Sequence, residues 1–438
     1  MSSNSVPAAQ ACEYEKWSKK QLIRKIQELE TGSTSNSPEI STSTGVAKKS
    51  EGAAMENAST KPLAKKRKFD FTKFSTRFVA FRFAYMGWHY NGLNYQYDPT
   101  PLPTVEEVIL QAMSKAKLVT DCDPVASGFS RCGRTDKGVS ALNQVISLHV
   151  RSSLNKEQQA DSTNDAREIP YLSILNALLP PDIRITAVCL RPPANFDARF
   201  SCSYRHYKYL FSKKGLDLEK MKEAAKMYEG VHDFRNFCKI DGSKQITNFF
   251  REVYSAKIEH QDGDFYVFDL KGSAFLWHQV RCMVAVLFLV GQGLEAPSVV
   301  QELLDISRYP SKPLFEMAND LPLVLYDCVF PEMEWLTAAK DFDGAQKIKL
   351  MREHGKFNEL LLEYQLRAHI AAMVGEVFLK EEIKENSGAH PNAGTINLGD
   401  GKGRNYKTYV PISKRELGDD VETVNARHRE KQKRKEKN

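Results

Sequence analysis

Asp136 stands in the stretch GRTDKGVSA (133–141) between two cations, Arg134 and Lys137, and between two glycines, Gly133 and Gly138. A confined carboxylate can act as a nucleophile, as a metal ligand or as half of an acid–base pair. The glycine separation matches a P-loop, but Val139 and Ser140 follow Gly138 where a P-loop needs Lys and then Ser or Thr to reach phosphate and Mg²⁺. No His/Asp/Glu cluster lies nearby in sequence, so no metal site is expected. A glycosidase-type pair needs a second acid, and none stands out. A surface turn with an Arg–Asp pair is the plain alternative.

Arg281 weighs on that choice. It interrupts the apolar run FLWHQVRCMVAVLFLVGQG, which begins at Phe275. A guanidinium packed among Val280, Met283, Val284 and Leu287 requires a carboxylate or a wet cleft. Asp136 is the natural candidate for its partner, and an arginine beside it would lower its pKa and keep it ionised, as a nucleophile requires. A helix-surface arginine is the competing reading.

The elements that must position these residues follow from pattern. RFVAFRFAY alternates, with Val79, Phe81, Phe83 and Tyr85 on one face of a strand. TVEEVILQAMSKA opens with the capping box Thr104 and Glu107 and keeps helical rhythm through Val105, Val108, Ile109, Ala112, Met113 and Ala116. LNQVISLHV, after the glycine-fenced loop, reads as a strand, RSSLNKEQQADSTNDARE as an exposed insertion, and IPYLSILNALLP as a short helix ending at Pro180. SYRHYKYLF is a further strand, DLEKMKEAAKMYEG a helix closed by Gly230, and REVYSAKIEH with FYVFDLKG a hairpin around Asp262-Gly263. Strands and helices mix in both halves, which predicts an α+β fold with largely antiparallel sheet. Beyond Phe330 the chain turns helical and charged, then loosens into a basic end.

At 438 residues with 42% hydrophobic content, the chain has length for two or three domains with cores. The apolar run from Phe275 is too short and too polar to span a bilayer, so no membrane segment is expected. The N-terminus lacks the features of a secretory signal, which predicts a protein that stays inside the cell. Eight scattered cysteines, no two closer than ten residues, exclude C-x-x-C spacing and read as reduced, mostly packed thiols. The net charge of +7 resides in the tails, with residues 61–68 and 425–438 each contributing +5 and residues 69–424 summing to −3. A basic groove on the body must therefore come from clustering. WSKKQLIRKIQELE has the capping pair Ser18 and Gln21 and an apolar face of Leu22, Ile26 and Leu29, a short helix; the Ser/Thr/Gly-rich stretch after it reads as disordered. KPLAKKRK reads either as a nuclear import signal or as a solvated, RNA-touching tail.

Three ordered motifs then resemble one family, the TruA-type tRNA pseudouridine synthases. GRTDKGVSA is similar to their catalytic motif, FDARFSCSYRHYKY (196–209) to the segment carrying their active-site tyrosine, and SAFLWHQVRCMVAVLFLVGQG (273–293) to the helix carrying their second arginine. AYMGWHYNG (84–92), TVEEVI (104–109), VHDFRNFCK (231–239) and DLPLVLYDCVF (320–330) support the match, which spans residues 77–330.

The resemblance implies two similar α/β halves forming a mainly antiparallel central sheet with a catalytic cleft. The corresponding divisions are 1–70 (helix and linker), 71–195 (half with the Asp loop), 196–330 (second half) and 331–438 (helical extension with basic tail). It also implies Asp136 as nucleophile, Tyr207 as the ring that stacks on the target base, Arg281 as the ion-pair partner of Asp136, and Arg134 as an aid in extruding the uridine. Tyr209 is assigned to packing. The implied reaction is redox-neutral and requires no nicotinamide, flavin or metal. Its substrate is tRNA and its usual assembly a homodimer. Ser140, where many bacterial relatives have histidine, and DLPLVL, where they have a glycine-containing stretch, resemble the eukaryotic branch that modifies positions 38 and 39 of the anticodon arm. Nucleus and cytoplasm are the expected compartments; other RNA sites, or a non-catalytic RNA-binding role, are the alternatives.

Overall fold

The computed structural model describes residues 69–337, 344–382 and 394–436. The expected N-terminal helix and linker and the basic run 61–68 lie outside the described residues.

Alternation builds the first strand, β1 (Ser75–Tyr85), whose Val79, Phe81, Phe83 and Tyr85 are all buried. The capping box starts α1 (Val105–Lys115): Thr104 accepts the Glu107 N–H, and the Glu107 carboxylate accepts the Thr104 N–H. β2 (Ser130–Arg131) and β3 (Ser140–Ser152) flank the glycine-fenced loop; α2 (Lys156–Ala160), α3 (Tyr171–Leu178) and β4 (Ile183–Cys189) complete the first half. The second half runs β5 (Tyr204–Ser212), α4 (Leu218–Lys226), β6 (Gly230–Asp233), β7 (Phe250–Asp262), β8 (Phe265–Gly272), α5 (Gln279–Gly291), α6 (Val299–Leu304) and β9 (Leu323–Val329). β10 (Leu336–Thr337), α7 (Gly344–Glu382), the ribbon β11 (Thr395–Ile396) with β12 (Arg404–Asn405), and α8 (Val421–Glu436) form the extension.

The main sheet has the order β10-β4-β1-β3-β9-β5-β8-β7-β6, with β2 added on β3. Every pairing in it is antiparallel except β3 with β9, where Ser140 faces Val324 and Ala141 faces Leu325. This one parallel seam joins the two halves. It also sets the end of the 133–141 loop beside the 320–325 segment, 180 residues away in sequence. The α+β class and the mainly antiparallel sheet expected from the sequence are both present. α5 packs its apolar residues behind the second half, where Val284, Val286, Leu287 and Phe288 are fully or almost fully buried.

One expectation gains a qualification and another needs correction. The stretch 151–168 is largely exposed, as expected, but Arg77 on β1 ties it down: the guanidinium reaches Glu168 at 2.9 Å and Asp165 at 3.1 Å, and Arg77 and Glu168 are both buried. The C-terminal end does not loosen. Tyr209 donates to the Leu398 carbonyl at 3.2 Å, Tyr409 donates to Glu295 at 2.6 Å, and the basic end is the helix α8. Charge composition alone suggested solvation there, but Leu398 and Ile412 are apolar anchors with little or no exposure.

Because two carboxylates converge on buried Arg77, Arg77→Ala leaves Glu168 ionised without its cation. The expected loss is about 3–5 kcal/mol, read from urea unfolding at neutral pH.

Candidate active site

A cleft of ≈ 1110 Å³ opens at the seam between the halves, and Asp136, Arg134, Tyr207 and Arg281 all line it. Nine of its lining residues are Lys or Arg and three are Asp, so the body with its negative net charge nonetheless concentrates positive potential in this cleft.

The loop carrying Asp136 is held from several sides. Gln144, fully buried on β3, accepts the Gly133 N–H at 3.2 Å and donates to the Gly133 carbonyl at 3.1 Å. The Tyr85 hydroxyl at the end of β1 meets the Thr135 hydroxyl at 2.6 Å. Val139 donates its N–H to the Asp136 carbonyl at 3.2 Å. Gly138 has φ +81°, and a Cβ there would lie 2.2 Å from an Asp320 carboxylate oxygen, so only glycine lets the loop close onto the 320 segment.

The Asp136 side chain keeps 27% of its exposure and is gripped by the segment leading into α5. Trp277 donates its indole N–H to Oδ1 at 3.1 Å. Nε2 of His278 lies 3.4 Å from Oδ2. Burial, then the nearby Arg281, Lys239 and Lys312 charges, push the His278 pKa down to about 4, so the ring is neutral at pH 7 and its contact with Asp136 is polar rather than ionic. His278 holds φ +63°, a left-handed conformation uncommon outside glycine, at the N-cap of α5. Its ring lies 4.6 Å from that of Trp277, and the Lys239 ammonium sits 4.8 Å from the Trp277 ring on the other contact.

Arg281 does not form the expected ion pair with Asp136. Its Nε donates to the Ala318 carbonyl at 2.7 Å, Ala318 returns its N–H to the Arg281 carbonyl at 3.1 Å, and Nη2 lies 3.9 Å from Asp320. The 318–320 segment, brought in by the parallel seam, captures the guanidinium first. Arg281 acts on Asp136 through space instead. Nor is the Asp136 pKa lowered: burial raises it, the Arg281 charge and the Trp277 hydrogen bond oppose that rise, and Asp320 adds to it. Asp320 is thus a second carboxylate near the first, invisible in the linear sequence.

Tyr207 on β5 is 9% exposed, with its ring edge-on to Phe275 at 5.1 Å. Both rings line the cleft. Tyr209, two residues on, is fully buried against Phe288 and packs as expected. Arg134 is exposed on the cleft wall and makes no ion pair within 4 Å among the described residues, while Arg131 and Arg199 are near enough for their charges to act on it. Phe200, 79% exposed beneath the Arg199 guanidinium, offers the cleft a flat apolar face. Trp277, His278, Asp320 and Phe200 are the site residues that sequence reasoning missed, and no local sequence signal marks them, since the contacts that recruit the first three are long-range.

Among the described residues no group of three or more His, Cys, Asp or Glu is placed to hold a metal ion, and no helix is long and apolar enough to cross a membrane. The seven described cysteines are free thiols, six of them buried.

An anchored, half-buried carboxylate and a buried tyrosine ring share a cation-rich cleft at the seam of two α+β halves, an arrangement suited to chemistry on a polyanionic substrate. A family model described as tRNA pseudouridine synthase matches residues 224–331. The tRNA pseudouridine(38/39) synthase of Saccharomyces cerevisiae is 52% identical over 436 residues, covering 99% of this chain and 96% of that one. Its counterpart in Homo sapiens is 42% identical over 316 residues, 68% of this chain and 65% of that one. The tRNA pseudouridine synthase A of Methanothrix thermoacetophila is 33% identical over 300 residues, 68% of this chain and 96% of its own. The chain belongs to the tRNA pseudouridine synthase family.

A carboxyl whose pKa rises on folding favours the folded state below the ordinary carboxylate range, and that contribution is lost as pH climbs through the raised value. Ionised Asp136 therefore costs stability at neutral pH. Asp136→Asn is expected to raise the thermal midpoint at pH 7, with the gain shrinking as pH falls through the raised value and gone once pH is below the ordinary aspartate value of 3.8; a lower midpoint at pH 7 would contradict the burial argument.

Proposed function

We propose that this chain isomerises uridine to pseudouridine at positions 38 and 39 of the tRNA anticodon arm, with Asp136 as the nucleophile. The observation that carries this reading is the carboxylate, withdrawn from water yet held by the Trp277 N–H and the Arg281 field, in a cleft where Lys and Arg outnumber Asp nine to three. The conversion breaks the N1–C1′ bond, turns the freed uracil and joins C5 to C1′. The C5 proton leaves and N1 takes one up, so no electrons enter or leave. Either attack by Asp136 at C1′ or its assistance to a glycal-forming elimination satisfies that balance.

The uridine must leave its stack to reach Asp136, at a cost of about a few kcal/mol. The Tyr207 ring offers a stacking surface in return, and Arg134 supplies a cation for a displaced phosphate. Similarity over nearly the whole length to the yeast enzyme named for positions 38 and 39 supports the choice of uridines. Nucleus and cytoplasm remain the proposed compartments.

A homodimer is part of this reading, and α7 supports it. Leu362, Leu366, Ile370, Met373 and Val377 form a stripe along this 39-residue helix, and every one is exposed. By sequence, 344–358 carries four Lys or Arg against one Glu, whereas 368–382 carries one Lys against three Glu, so antiparallel pairing of two copies sets opposite charges together.

Three outcomes follow. On unmodified tRNA, wild type is expected to yield carbodiimide-reactive pseudouridine at positions 38 and 39, while Asp136→Asn yields none and still binds tRNA within a few-fold of wild type; product from Asp136→Asn would refute the nucleophile. Trp277→Phe removes a hydrogen bond that favours the ionised carboxylate, so the acid limb of kcat/KM is expected to move to higher pH. In sedimentation, Leu366→Glu with Ile370→Glu is expected to convert dimer to monomer.

A further inference from the structure

α8 is seated on the cleft rather than trailing from it. Gln245 donates its side-chain N–H to the Asn425 carbonyl at 3.2 Å, and Arg429 donates to the Gln245 side-chain oxygen at 2.7 Å. Asn425 is 4% exposed. At Gly242 a Cβ would lie 2.9 Å from the Val424 carbonyl oxygen and 3.0 Å from the His428 Cβ, so the helix backbone rests directly on this glycine. The clamped turn, 242–245, belongs to the segment that brings Asp241, Lys244 and Ile246 to the cleft wall. The helix thus starts at the rim of the site.

Past that seat, α8 carries Lys431, Lys433, Arg434 and Lys435, all exposed, and none forms an ion pair among the described residues. Arg427 and Arg429, nearer the seat, are paired with Asp419 and Glu422. At 1.5 Å per residue, the four unpaired cations ride about 10–15 Å beyond the attachment at Asn425. One or two basic residues would suffice to complement the helix dipole. Four in five residues, on a helix bolted to a cation-lined cleft, exceed that need.

We propose that α8 is a phosphate-gripping rail: it extends the positive cleft outward and holds the sugar–phosphate backbone of the tRNA away from the target uridine, without reading sequence. The rail rests on the reading of tRNA as substrate. A point charge on a flexible lysine stem suits a backbone phosphate, which carries no base information. Docking at 242–245 gives these charges a fixed position relative to Asp136, so they add to affinity and register and not to the chemical step.

The test compares wild type with a variant carrying Lys431→Ser, Lys433→Ser, Arg434→Ser and Lys435→Ser, and with Gly242→Val, which keeps every charge but obstructs the seat. The serine variant is expected to raise KM for tRNA about tenfold near 0.1 M salt with kcat unchanged, and to flatten the slope of log affinity against log salt by about 2 to 3. Gly242→Val is expected to raise KM as well. Affinity should fall equally for a tRNA without uridine at positions 38 and 39. A serine variant with wild-type KM and salt slope overturns the rail, and a folded Gly242→Val protein with wild-type KM overturns its docking. Failure of wild type to form pseudouridine at those positions would instead strike the substrate reading, which the binding slopes do not address.

Discussion

An ionised carboxylate three-quarters withdrawn from water is costly, and the architecture around Asp136 is arranged to hold it. Desolvation raises the pKa of the group, the Trp277 N–H and the Arg281 charge work against that rise, and Asp320 limits how far they succeed. Each contributor arrives from a different part of the chain. The loop comes from the first half, Trp277 from the approach to α5, Arg281 from its first turn, and Asp320 from the run into β9. Only the parallel pairing of β3 with β9 brings all of them together. The site is therefore a property of the seam, and neither half contains it.

The residues around the carboxylate divide the work of binding and chemistry. Neutral His278, at φ +63° with its ring tilted against Trp277, packs on the indole that donates to Asp136. Arg281, tied to Ala318 and near Asp320, lends charge to the carboxylate without pairing with either of its oxygens, which Trp277 and His278 approach instead. The outer cations act at longer range, on phosphates, where salt dependence is their signature.

Much of this was legible in the sequence. β1, α1, the β7–β8 hairpin and the short helix before Pro180 follow from alternation, a capping box and turn residues, which are local signals. Asp136, Tyr207, Arg134 and Arg281 were legible through three motifs, and they do share one cleft. What was not legible depends on contacts across long stretches of chain. His278 read only as a polar break in an apolar run and Trp277 as part of that run, because the partner of Trp277 lies 141 residues away. Asp320 looked like one acid among many until the seam delivered it to Gly138. Sequence logic asked for a carboxylate or a wet cleft around Arg281 and offered Asp136 as the carboxylate; Arg281 does line the cleft, but Nη2 lies 3.9 Å from Asp320 and Nε is tied to Ala318, contacts that nothing local announces. The basic end read as solvated because its composition hides the seat at Gly242.

The central claim is that Asp136 meets the ribose of an extruded uridine, and the most direct measurement is a structure of the Asp136→Asn protein bound to unmodified tRNA. The account expects the uridine at position 38 or 39 to be swung out of the helix with its base against Tyr207 and its C1′ about 3–3.5 Å from the side-chain oxygen at 136. A complex in which both uridines stay stacked in the anticodon arm, or in which an extruded base lies away from that side chain, would contradict it.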